Sequence, residues 1–292
     1  MSPNPQTGFV ECDAGLRLWW QSIGSGPTLI CCNGVGVSTF FWKYVVEHFS
    51  PRYQVVLWDY RGHGLSEQPT DLDSVELSIE ASARDLGLVA EAVGARDAVL
   101  LGHSMGCQVA LERYHQAPDS VRGLALLFGS AGRVLETFFD RSSSVRIHQV
   151  LMAAADRLGP RANKIMRGLT TSPLAWAVTR RLRMVDPDYA RREDFQPYLD
   201  HLGEIDSRLF LHMVQEANRH DAFAWLSEVD APTLIIAAEN DKFTPLHVSE
   251  RMVNALPKGE LMVLADGTHA AIIEQPQTIN HRLGRFLAEI PF

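Results

Sequence analysis

One pentapeptide in the chain could carry nucleophilic chemistry. Gly102-His103-Ser104-Met105-Gly106 sets a serine in a G-x-S-x-G pattern. A serine hydroxyl is a poor nucleophile at neutral pH, so attack on a carbonyl needs a histidine base and an acid to orient it. The chain offers both in the order serine, acid, base: Asp241 follows Glu239-Asn240, and His269 follows Asp266-Gly267-Thr268. The negative charge that develops on the attacked oxygen needs hydrogen-bond donors. The N–H of Met105 is one candidate, and the N–H of Val35, in the loop Asn33-Gly34-Val35-Gly36, is the other. Acyl transfer of this kind needs no cofactor. The chain has no HExxH, no tight His/Cys/Asp cluster and no G-x-x-x-x-G-K-[ST], so neither a metal nor a nucleotide is expected.

These residues work together only if the fold gathers them. Short apolar runs at 28–32, 54–58, 98–101, 121–128, 233–237 and 260–264 read as buried strands, and 9–12 with 16–21 as a hairpin. Helical patterns are expected near 42–49 and over 76–93, 105–116 and 271–287. That alternation predicts an α/β fold with a mostly parallel sheet. Ser104, Asp241 and His269 each follow a strand, and open α/β sheets place their sites at that edge. His103 is expected to pack, because neighbours on a tight turn point apart, and His63 to brace its loop. Glu239 is the alternative acid. Asp266 is a weaker rival, since its turn to His269 is short.

The sequence divides at about residue 130. The segment 130–222 is helical in pattern, clearest over 145–158, 174–185 and 209–218, and reads as an inserted cap on a core formed by 1–129 and 223–292. It carries 14 Lys and Arg against 12 Asp and Glu, whereas the rest carries 13 against 23, which suits a solvated helical face over an acidic core. Its aromatic residues, among them Phe138, Phe139 and Trp176, are candidate pocket residues, as is Trp225 just beyond it.

In these motifs the sequence resembles the α/β-hydrolase superfamily. The resemblance rests on Gly102 to Gly106, on Asp59-Tyr60-Arg61-Gly62-His63-Gly64-Leu65-Ser66, and on Gly267-Thr268-His269 through Glu274-Gln275-Pro276. It implies an eight-stranded sheet flanked by helices, with a helical cap. Two departures stand out: Asn33-Gly34 where many members have His-Gly, and Cys107 where many have a third glycine. The expected function is an esterase or lipase-like serine hydrolase for a small to medium apolar ester. A carbon-carbon bond hydrolase of a diketone-like substrate and a ligand receptor on the same fold are the alternatives. Epoxide hydrolases and dehalogenases of the superfamily place an aspartate where Ser104 stands.

Composition bounds the remaining classes. The 292 residues are 46% hydrophobic and 21% charged, enough for a sizeable core and unlike a disordered chain. A net charge of -8 argues against nucleic acid as a partner. No apolar run approaches the roughly 20 residues of a membrane span, and the start has no signal-peptide pattern, so a cytoplasmic location is expected. The four cysteines form no CxxC pair and are expected as buried free thiols.

Overall fold

The structure, a computed structural model, describes residues 5–140 and 143–292. Eight strands form one sheet: β1 (Gln6–Glu11), β2 (Arg17–Ile23), β3 (Thr28–Cys32), β4 (Gln54–Trp58), β5 (Ala98–His103), β6 (Val121–Leu127), β7 (Thr233–Ala238) and β8 (Gly259–Leu264). Their order across the sheet is β1-β2-β4-β3-β5-β6-β7-β8. The β1/β2 and β2/β4 pairs are antiparallel and every later pair is parallel.

Both faces of the sheet are covered, which is why β3 and β5 are buried at every position. Along β3 the side chains alternate between two cores, Ile30 and Cys32 in one, Leu29 and Cys31 in the other. The first core packs beneath α2 (Ile79–Ala92) and α3 (Met105–Gln116), the second beneath α1 (Lys43–Phe49) and α12 (Pro276–Glu289). All four cysteines are buried and free.

Helix α2 starts three residues later than its pattern suggests, because the Ser78 hydroxyl accepts the Ala81 N–H at 3.0 Å and caps it. The closing helix expected over 271–287 is two helices, α11 (Ala271–Glu274) and α12. Pro276 opens the second, where its missing N–H costs no helical hydrogen bond.

Between β6 and β7 the chain runs through α4 (Val134–Thr137), α5 (Ser144–Leu158), α6 (Pro160–Thr170), α7 (Ala175–Arg181), α8 (Arg192–Glu204) and α9 (Ser207–Arg219). Helix α10 (Leu246–Ala255) then links β7 to β8. No described helix is long and apolar enough to cross a membrane.

Candidate active site

Strand β5 ends at His103 and α3 begins at Met105, so Ser104 alone makes the turn. Its backbone pays for that sharpness with φ 55° and ψ -120°, a conformation rare for a residue with a side chain. Its N–H donates to the Leu127 carbonyl of β6 at 3.0 Å, pinning the turn to the sheet. The turn also needs close chain approach. A Cβ on Gly106 would stand 2.1 Å from the Cys32 carbonyl oxygen, and one on Gly102 2.5 Å from the Gly106 carbonyl oxygen. Cys107 fits where a third glycine is common because Gly129 opposite it has no side chain; a Cβ there would lie 2.2 Å from the Cys107 sulfur.

The side chains singled out beyond Ser104 lie beside it. His269 Nε2 is 2.9 Å from Ser104 Oγ, and His269 Nδ1 is 2.8 Å from Asp241 Oδ2. Asp241 is buried and itself held: Oδ1 accepts the N–H groups of Phe243 and Thr244, and Oδ2 accepts the Thr244 hydroxyl. Glu239 and Asp266 are exposed. The His269 loop is latched by buried Glu274, which accepts the Thr268 N–H at 3.1 Å, the Thr268 hydroxyl at 2.8 Å and the Asp186 N–H at 2.7 Å. This gives the Glu274-Gln275-Pro276 motif a mechanical reason.

Loop 33–36 is equally fixed. Asn33 donates to the Trp58 carbonyl at 2.7 Å and accepts the Trp42 indole N–H at 2.8 Å, while its own carbonyl accepts the Tyr60 hydroxyl. Asparagine in place of the common histidine therefore ties β3 to β4. His63 Nε2 accepts the Gly36 N–H at 3.1 Å, so the histidine of the 59–66 motif braces this loop. Gly34 lies close against the serine turn, where a Cβ would be 3.0 Å from Ser104 Cβ. Among the described residues the Val35 and Met105 N–H groups make no turn, loop or side-chain hydrogen bond.

His103 donates through Nε2 to the His269 carbonyl at 3.1 Å and lies 5.0 Å, ring to ring, from Phe41. Burial pushes His103 down to about 3, the neighbouring His269 adding to the effect. Burial likewise pushes His63 down to about 3, helped by His201, and His201 to about 4. All three bind protons more readily once unfolded, where histidine titrates near pH 6.5. Their contribution to stability is complete above that value and is lost as the pH falls toward their folded values. Asp59 acts oppositely, since burial lifts it to about 6, and Asp85 and Glu274 are also pushed up by burial. The first loss should therefore come between about pH 7 and 6, as a lower Tm at the acid end. His201→Phe should flatten that slope, because His201 Nε2 has no partner among the described residues. An unchanged slope in the variant would show that His201 is not among the groups responsible.

Ser104 and His269 open into a cavity of about 340 Å³ with a mainly apolar lining. Phe138 and Phe139 line it, with Phe195, Tyr198 and Phe210 from α8 and α9. Two expected pocket residues are not among its described lining. Trp176 turns toward Phe195, with ring centroids 6.0 Å apart. Trp225 stacks on His115 at 4.4 Å. His115 lies near the far end of α3 from Ser104, roughly 15 Å along the axis at the helical rise. Phe243, missed in the sequence, sits 4.9 Å from the His269 ring; its place two residues after Asp241 was the available signal.

Among the described residues, one grouping has the donor types of a metal site. Cys12, Asp13 and Asp85 place ligand atoms within 4.8 Å of one another. The Arg61 guanidinium already bonds both carboxylates, Asp85 at 2.7 Å and Asp13 at 2.5 Å, and supplies the positive charge there.

Comparison with known proteins agrees with this architecture. The sequence model of the alpha/beta hydrolase fold family matches residues 27–276. A relative from Azorhizobium caulinodans, named "Putative carbamate hydrolase RutD", is 27% identical over 94% of this chain and 96% of its own. The esterase RhEst1 from Rhodococcus sp. ECU1013 superposes with a TM-score of 0.78 at 18% identity, covering 98% of this chain and 99% of that one. Est816, titled an N-acyl homoserine lactone degrading enzyme, gives 0.72 at 24%, covering 96% and 100%.

Proposed function

Because the chain belongs to the α/β-hydrolase-fold family, we propose that it is a serine hydrolase of small to medium apolar carboxylic esters. The observation that carries this reading is the hydrogen-bonded series Ser104, His269, Asp241, of which Ser104 and His269 line an apolar cavity. His269 takes the Ser104 proton as Oγ attacks the carbonyl carbon, and the Val35 and Met105 N–H groups hold the resulting oxyanion. The tetrahedral species collapses, His269 gives its proton to the departing alcohol, and an acyl-Ser104 ester remains. Water then gives a proton to His269 and attacks that ester. The acid leaves as the proton returns to Ser104 Oγ. Asp241 fixes the His269 tautomer and stabilises its charged form. Water is the only co-reactant the balance requires.

In this reading the helices between β6 and β7 act as a cap, 130–222, on a core of 1–129 and 223–292. Phe138 and Phe139 would contact the acyl chain. A carbamate carbonyl would meet the same hydroxyl and donors, and the name of the Azorhizobium relative favours it as a second reading. The apolar lining favours the ester.

Hydrolysis of p-nitrophenyl esters of increasing acyl length tests the choice. Each methylene entering the cavity adds about 0.8 kcal/mol, so kcat/KM should rise roughly fourfold per carbon until the cavity is full. A flat series, or an aryl carbamate turned over faster than every ester, would remove the apolar ester reading.

A further inference from the structure

The outward face of the insertion between β6 and β7 is unusual for a protein surface. Of the fifteen exposed large hydrophobic residues among those described, nine fall within 143–183. On α5 they are Ile147, Val150, Leu151 and Leu158, and on α6 Ile165 and Leu169. Leu174, Val178 and Leu182 run along α7 and its flanks. Within each helix the spacing is that of a single stripe, the pattern that ordinarily marks a buried face. Here it faces solvent.

Charge singles out the same segment. In a chain of net charge -8, residues 143–183 hold eight Lys and Arg, all exposed, against Asp156 alone. None of the eight forms a salt bridge among the described residues, whereas Asp156 is taken by Arg208 of α9. The cations lie within the stripes: Arg146 and Arg157 share a ridge with Val150, Arg161 with Ile165 and Leu169, and Arg181 with Leu174 and Val178. Apolar side chains interleaved with unpaired cations match an interface-seeking surface.

The patch is continuous with the cavity. Ile147 and Leu151 are half exposed and also line it. Phe139 donates its N–H to the Lys242 carbonyl at 2.6 Å, and Lys242 Nζ donates to the Leu182 carbonyl at 2.8 Å, so one residue joins the cavity rim to the end of the α7 stripe.

The geometry points to this face as a docking surface for an anionic lipid bilayer, with the cavity mouth at the membrane. A symmetric pairing of two copies would set the same patch against itself, cation against cation. An anionic headgroup layer instead supplies the missing counter-charge, and its acyl boundary accepts the apolar stripes. Docking does not depend on the reaction proposed above, so Ser104→Ala protein should bind as the unchanged chain does.

Vesicle flotation decides it. Binding to phosphatidylcholine vesicles containing phosphatidylglycerol should exceed binding to phosphatidylcholine alone by about tenfold or more and weaken steeply with salt. Arg167→Glu with Arg181→Glu should lower binding to the anionic vesicles at least about tenfold, with Tm and turnover of a soluble ester unchanged. Leu169→Ser with Val178→Ser should lower it as well. Equal binding to both vesicles, absent binding, or full binding by the arginine variant would overturn the proposal. So would a dimer in sedimentation equilibrium that Leu169→Ser converts to monomer, since a second copy would then be the occupant.

Discussion

Ser104→Ala should lower turnover of the best ester by roughly 10³-fold or more while leaving the fold in place. The size follows from the nucleophile and base acting as a unit: without Oγ, His269 has no proton to take and no acyl-enzyme forms. Retention of the fold follows from what Oγ touches. Its hydrogen bond among the described residues is to His269 Nε2, and the backbone bond from Ser104 N–H to Leu127 stays in the variant. Alanine must adopt the same positive φ as serine, so the strain of the turn is nearly unchanged. The check is kcat/KM beside Tm, with fluorophosphonate labelling of the unchanged protein at Ser104. Undiminished hydrolysis by the variant would remove Ser104 from the reaction.

Asp241→Asn should cost roughly 10⁴-fold in turnover, whereas Glu239→Gln should change it by no more than about twofold. The asparagine fills the same volume and can still accept the N–H groups of Phe243 and Thr244. What it loses is charge, and with an amide N–H₂ facing Nδ1 it favours the wrong His269 tautomer. Glu239 precedes Asp241 by two positions but is exposed. Steady-state kinetics of the two variants separate the acids, and the reverse ranking would move the role to Glu239.

Much of this was legible in the sequence, and unevenly so for physical reasons. Strands β3 and β4 and helix α3 have the limits their patterns suggest, because a strand buried on both faces reads as an unbroken apolar run. Strand β5 runs two residues further, through Gly102 and His103. Neither is a strong strand former, and it is the pairing of Gly102 with Cys32 and Leu126 that extends it. Ser104, Asp241 and His269 could be chosen because each follows a strand on the same edge of the sheet.

The cavity wall was far less readable. Helices α6 and α8, which begin with Pro160 and contain Pro197, fell outside the clearest helical stretches. Which side of an amphipathic helix meets the core is decided by docking, so Trp176 was singled out as a pocket residue while Phe195 and Phe210, which line the cavity, were not. The stripes on α5, α6 and α7 have the periodicity of a core face, yet they point outward, which periodicity alone does not reveal.

The four buried cysteines give the molecule an internal clock. A thiol shielded from solvent reacts with an alkylating reagent only when its surroundings open, so the rate at each sulfur reports how often that region comes apart. Cys12 sits in a small cluster with Leu16 and Leu18 at the periphery and times the fraying of the first hairpin. Cys31 and Cys32 lie in the central strand, and Cys107 lies directly behind the serine turn. Slow modification at Cys107 with fast modification at Cys12 would describe a chain that breathes at its edge while the floor beneath Ser104 stays closed.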